Sequence, residues 1–181
     1  MSKLEVFFDY TCPFCLKGHE NLVGLLPKYP GLEIEWRPCE IHPRPEPCDR
    51  HSDLCARGMY FALESGADVM EYHRRIYRAA VTDHADIEDL SVLSGYMEGL
   101  LNRERFEQAL SGDQYADKLS ENTRLTWDEY DFPAVPSYRM GEDLLKSIPI
   151  VGVTQKRLAA FLKQHTQPTR VYNGLIVAQR K

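Results

Sequence analysis

Long apolar runs are missing from this chain. No stretch approaches the ~18 residues that a membrane-spanning helix requires, so a spanning helix is excluded and a membrane is not an expected partner. A basic excess is missing too: 22 Lys and Arg stand against 27 Asp and Glu, a formal net charge of -5. Nucleic acids and anionic membranes select a basic face, so nucleic acid is not an expected partner either. A leader pattern is also lacking. From Met1 to Cys12 one lysine precedes a few apolar residues broken by Glu5 and Asp9, which is too short and too charged for a signal peptide. The expected location is cytoplasmic. Five cysteines in a reducing compartment are not expected to form structural disulfides, so catalysis or metal binding must account for any special use of them. What remains is ordinary: 181 residues and 43% hydrophobic content suit one domain, or one domain carrying a large insertion. Nothing in the composition speaks to oligomeric state.

Residues 4–9, rich in Val and Phe, read as a strand that stops at Thr11-Cys12-Pro13. Pro13 suits the first position of a helix, where a missing N–H costs nothing. Leu16, His19, Leu22, Val23 and Leu26 then follow helical spacing until Pro27, Pro30 and Gly31. Residues 32–37 alternate apolar and charged side chains, as in a strand with one wetter face. The opening is therefore β–Cys-x-x-Cys–α–β. Pro38, Pro43, Pro45 and Pro47 make residues 38–49 a loop or extended segment.

From 50 to 130 the pattern is helical. Helices are expected over 53–64, 68–81, 87–100, 102–111 and 113–130, with Ser52 or Asp53, Asp68, Asn102 and Asp113 as starts. The acidic stretch 83–89 reads as a helix start, where negative charge suits the dipole. Tyr72, Ile76 and Tyr77 share a helical face and read as core or groove lining. No fixed period marks repeats. Residues 135–140 and 144–148 read as a hairpin around Gly141-Glu142-Asp143. Thr154 caps a helix carrying Leu158, Phe161 and Leu162. Asn173-Gly174 between apolar pairs suggests a last small hairpin. The domain reading is 1–49 with 131–181 as one unit and 50–130 as an inserted helical subdomain.

Cys12-Pro13-Phe14-Cys15 sits where a strand ends and a helix begins. Only a thiolate attacks a disulfide. Free N–H groups and the positive end of the dipole stabilise an anion at a helix N-terminus. Cys12 is therefore the expected nucleophile. Cys15, one turn on and expected to be more buried, is placed to resolve a mixed disulfide. Zinc ribbons also use Cys-x-x-Cys, but with a second pair and knuckle turns rather than a helix. Val135-Pro136 opens a strand after the helical stretch, which is compatible with a cis bond.

Phe8-Asp9-Tyr10-Thr11-Cys12-Pro13-Phe14-Cys15, Ile34-Glu35-Trp36-Arg37-Pro38 and Ala134-Val135-Pro136-Ser137-Tyr138 resemble the DsbA-like thioredoxin family, and within it the FrnE-type branch of dithiol–disulfide isomerases. The order of elements is similar along nearly the whole chain. The resemblance implies an α/β, thioredoxin-like fold with a helical insertion between strands two and three. It implies that Pro136 is a cis-proline packed against the active-site sulfurs and that the backbone of Val135 pairs with an extended substrate. It also implies that Pro13-Phe14 tunes the redox potential, that the insertion caps the site, and that His42-Pro43 is a structural family feature. Cys39 departs from the branch, which usually carries Phe there.

The expected activity is disulfide exchange with protein or peptide thiols through Cys12 and Cys15, with Pro13, Phe14, Val135 and Pro136 contacting substrate. No organic cofactor or metal is required; glutathione or another cellular thiol reductant is the candidate redox partner. One alternative is a glutathione-dependent isomerase or transferase of the kappa or hydroxychromene-carboxylate type, against which Cys15 speaks. Another is a non-enzymatic module that uses Cys39, Cys48, Cys55, His42 and His51 to hold zinc or sense thiols. A second redox pair, Cys48 with Cys55, is a further reading, and reduced thiols acting as small hydrophobes are the default. Asp9 is expected to be a solvated strand end.

Overall fold

The computed structural model describes residues 3–166, 170–172 and 175–177. Its centre is β1 (Lys3–Phe8), whose side chains from Leu4 to Phe8 are all buried. β2 (Glu33–Pro38) pairs with β1 in parallel, and α1 (Pro13–Leu25) makes the crossover between them. β3 (Ser137–Met140) pairs antiparallel with the other edge of β1, and β4 (Asp143–Leu145) follows antiparallel, giving the order β2-β1-β3-β4. Burial on both faces explains why β1 is an almost unbroken apolar run. Its one acid, Glu5, is held by Arg37 at 2.8 Å and Arg139 at 2.6 Å from the two flanking strands. A buried carboxylate is tolerable only when paired in this way.

Five helices lie between β2 and β3: α2 (Asp53–Glu64), α3 (Val69–Tyr77), α4 (Leu90–Tyr96), α5 (Arg103–Ser111) and α6 (Ala116–Arg124). Asp68, Asp89 and Asn102 cap α3, α4 and α5 through their side chains. Tyr72, Ile76 and Tyr77 are buried and join Phe8 and Tyr10 in one continuous core. The helical stretch thus shares its core with the sheet. α7 (Gln155–His165) starts at Thr154, whose hydroxyl accepts from Arg157 N–H, and buries Leu158, Phe161 and Leu162. β5 (Arg170–Tyr172) and β6 (Leu175–Val177) pair antiparallel, as the last hairpin requires. Its Asn173-Gly174 turn lies outside the described residues.

Several boundaries differ from expectation. Val23 is exposed; α1 buries Cys15, Gly18, Leu22 and Leu25 instead. α3 and α6 end sooner and widen into π-helical turns over Arg78–Thr82 and Leu125–Glu129. α4 is shorter than the acidic and apolar pattern suggests. α6 begins at Ala116 rather than Asp113, after Tyr115 takes a left-handed turn at φ 68°. β3 starts at Ser137, because Val135-Pro136 is a loop with a cis bond. β4 stops at Leu145, and Ile148 instead bridges Gly152 in a tight turn.

Candidate active site

Cys12 is the N-cap of α1, with extended backbone at φ -88° and ψ 117°, and Pro13 opens the helix. The cap geometry turns the first amides of the helix toward the sulfur. Cys12 is 7% exposed and Cys15 1%, which is the expected order for an attacking and a resolving thiol. The Cys15 thiol donates to the Cys12 sulfur and itself accepts from Asp9 N–H at 3.4 Å. That donation is the main force holding the Cys12 pKa below the ordinary cysteine value; the N–H groups of Cys15 and Phe14 help, while burial and the Asp9 charge oppose. Burial drives Cys15 well above the ordinary value, and its donation to Cys12 adds to the rise. Low-pKa nucleophile and high-pKa partner are one turn apart.

The Val135–Pro136 bond is cis. Val135 O lies 3.8 Å from Cys12 Sγ. The ring of Pro136 packs on α1 at Gly18, where a Cβ would lie 2.6 Å from Pro136 Cγ. The loop therefore meets the nucleophile through Val135 and the helix through Pro136. Cys12, Phe14 and Val135 line a groove of about 500 Å³, completed by Ile41, Pro43, Glu46, Trp127, Pro133 and Ala134. Pro13 is exposed beside it.

Ile41, Pro43, Glu46 and Trp127 were not expected from sequence to line the site. A signal for the first three existed. β1 and β2 are parallel, so the proline-rich loop that leaves β2 must emerge beside the Cys-x-x-Cys turn that leaves β1. Trp127 had no local signal; its indole N–H donates to Glu40 O at 2.8 Å, 87 residues away in sequence.

Asp9 is not a solvated strand end. It is 2% exposed. One carboxylate oxygen accepts from Thr11 N–H and hydroxyl, both at 2.8 Å, and the other from Ile41 N–H at 2.8 Å. It ties the motif loop to the loop after β2.

The remaining cysteines do not converge. Cys39 is fully buried, donates to Phe8 O at 3.5 Å, and has a pKa pushed up mainly by burial. Cys55 is fully buried and Cys48 partly so, and both are free thiols. His42 is exposed and faces Glu46 at 3.2 Å, while His51 pairs with Glu88 at 3.1 Å. Among the described residues no group of three or more His, Cys, Asp or Glu side chains is arranged to hold a metal. No helix among them is long and apolar enough to cross a membrane.

The model of the DsbA-like thioredoxin domain matches residues 3–142. The chain belongs to the DsbA-like thioredoxin domain family. Members of this family are disulfide oxidoreductases and isomerases. Among solved structures, a probable DsbA oxidoreductase from Streptomyces coelicolor superposes with a TM-score of 0.75 at 16% identity, covering 99% of this chain and 100% of that one. A 2-hydroxychromene-2-carboxylate isomerase superposes with a TM-score of 0.63 at 15% identity, covering 90% of this chain and 93% of that one. YwbO, an uncharacterized protein of Bacillus subtilis, is 23% identical over 86% of this chain and 95% of its own length. At such identities the likeness of structures carries the DsbA-like fold, and the site must argue for the chemistry.

Proposed function

We propose that this DsbA-like protein exchanges disulfides with protein or peptide thiols through Cys12 and Cys15. The Cys12 thiolate attacks a substrate disulfide and forms a mixed disulfide, and the displaced substrate sulfur leaves as a thiolate that takes up a proton. Cys15 then loses its proton, attacks the Cys12 sulfur and releases the second substrate thiol. The substrate gains two electrons, and the protein ends as a Cys12–Cys15 disulfide. Run backward, the same steps oxidise a dithiol. No cofactor is consumed; a cellular thiol reductant, glutathione included, would regenerate the reduced form. In the cytoplasm, where we place the protein, the reduced dithiol would dominate.

One observation carries this reading: Cys12, at the N-cap of α1 with its sulfur 3.8 Å from Val135 O, opens into a groove, and Cys15 lies buried one turn behind it. We read residues 1–49 and 131–181 as the thioredoxin-like unit and 50–130 as an inserted subdomain. Trp127 brings the inserted segment to the groove, so the insertion would help to close the site. Pro13 and Phe14 would tune the pair and Val135 would offer its backbone to an extended substrate.

Insulin reduction tests the proposal. Cys12→Ser and Cys15→Ser both lose turnover, and a trapped mixed disulfide accumulates for Cys15→Ser alone. Full activity in Cys12→Ser would end the proposal. The likeness to the hydroxychromene-carboxylate isomerase keeps a glutathione-dependent isomerase as the second reading. Full activity retained in Cys15→Ser would favour it, since that chemistry does not need the resolving thiol.

A further inference from the structure

Building on the exchange reading, we propose that Glu46 makes the groove select disulfides in basic, aliphatic polypeptide segments rather than acidic thiols such as glutathione. The groove beside Cys12 is walled by Phe14, Ile41, Pro43, Trp127 and Val135, and Glu46 is the one charged side chain among its described lining residues. Its place is fixed by backbone. Glu46 N–H donates to Pro43 O at 2.9 Å, and Glu46 O accepts from His51 Nε2 at 3.0 Å. The carboxylate itself is half exposed and faces His42 at 3.2 Å. The neighbouring Arg44 is spent on Glu88 and Asp53. A carboxylate that is the one charged group lining an apolar groove attracts a cation and repels an anion. The net charge of -5 acts in the same direction.

The aliphatic preference comes from the other neighbour of Phe14. The turn over residues 148–152 runs beside Phe14, since a Cβ on Gly152 would lie 3.4 Å from Phe14 Cβ and 3.7 Å from its ring. It presents Ile148, Ile150 and Val151 to solvent, with Ile150 86% exposed at φ 66°. A β-branched residue in the left-handed region is a genuine outlier, and here it is also left in water. With Phe14, a groove residue at 37% exposure, the turn forms an apolar platform on the far side of that side chain, of the kind that marks a polypeptide contact. The occupant is an extended segment with its disulfide sulfur at Cys12, an aliphatic residue on the platform and Lys or Arg at Glu46. Glutathione offers two carboxylates and no apolar side chain.

Three peptides provide the test. Each carries a leucine and one cysteine blocked as a mixed disulfide with 5-thio-2-nitrobenzoate, and they differ only in Lys, Ala or Glu two residues from the cysteine. Reduced protein supplies both electrons, and release of the coloured thiolate reports the first attack. At low salt the Lys peptide reacts about fivefold faster than the Glu peptide, the size of one exposed charge contact. Glu46→Gln removes the preference, Glu46→Lys reverses it, and His42→Ala increases it. Each comparison is a ratio within one variant, so a general loss of activity does not mimic it. Equal rates for the three peptides, or an unchanged ratio in Glu46→Lys, would overturn this inference and leave the exchange reading standing. No reaction with any peptide would overturn both.

Discussion

Cys12 and Cys15 differ less in position than in what surrounds their sulfurs. Cys12 meets the open end of a helix and a donor; Cys15 meets core and has only Asp9 N–H to accept from. Because the strongest force on Cys12 is the Cys15 hydrogen bond, Cys15→Ala raises the Cys12 pKa, while Cys15→Ser keeps a donor and raises it less. Thiolate absorbance followed against pH measures both. Asp9 acts in two opposed ways. Its charge raises the Cys12 pKa, so Asp9→Asn lowers it further in the same titration. Its carboxylate also satisfies three donors, and the amide turns one acceptor oxygen into a donor facing a donor. Asp9→Asn therefore destabilises the fold by roughly 1–3 kcal/mol in denaturant unfolding. The motif cysteines were legible because strand, Cys-x-x-Cys and helix are adjacent in sequence. Asp9 was misread because one of its partners, Ile41 N–H, is 32 residues away.

Two elements that never meet in sequence, α1 and the cis-proline loop leading into β3, approach at Gly18. A Cβ there would lie 2.6 Å from Pro136 Cγ and 2.9 Å from the Tyr138 hydroxyl. Gly18→Ala must push the helix off the loop that carries Val135. The expected cost is ~1–3 kcal/mol in denaturant unfolding, as for other overpacked cores. Slower mixed-disulfide formation should accompany it, because Cys12 rides on the same helix. Unchanged stability would mean that the two elements are not in contact. Elements themselves were largely legible where a local signal marks both ends. α2 runs from beside Ser52 to the Gly66 turn, and α7 starts at its Thr154 cap. They were misjudged where tertiary packing sets the end. The π-helical turns after α3 and α6 keep Ala79, Ala80 and Thr126 buried, and no periodicity announces such a widening. The strand expected over 144–148 stops at Leu145, because Ile148 turns back to bridge Gly152 and nothing in its own composition marks that turn.

The molecule as a whole carries two opposing proton balances in its interior. His73 is fully buried, bonded through Nδ1 to the Tyr10 hydroxyl at 2.9 Å, and burial holds its pKa well below 6.5. His19 on α1, 5.0 Å from it between ring centroids, is lowered by burial to about 4. Groups lowered in the fold but not in the unfolded chain bind protons on unfolding, so their contribution is full above about pH 6.5 and is lost as pH falls toward 4. Glu40 runs the other way. Burial, with Asp53 and Asp9 nearby and His51 and Arg44 in partial compensation, raises it from 4.5 to about 7. Its Oε1 has no hydrogen-bond partner among the described residues, so the folded protein prefers the protonated acid, and this contribution is full below 4.5 and lost as pH rises to 7. Between about pH 4.5 and 6.5 the two imidazoles outvote one carboxyl, and stability falls with acid by about 1.4 kcal/mol per pH unit. Glu40→Gln removes the compensation and doubles that slope, whereas His73→Phe flattens it. Urea midpoints taken across this window measure all three slopes. The strongly lowered exposed carboxylate, Glu71 at about 2, titrates below the window and does not blur it. A wild-type slope already as steep as that of Glu40→Gln would mean that Glu40 is ionised in the fold, and that the loop carrying Ile41 to the Cys12 groove holds a charge there rather than a proton.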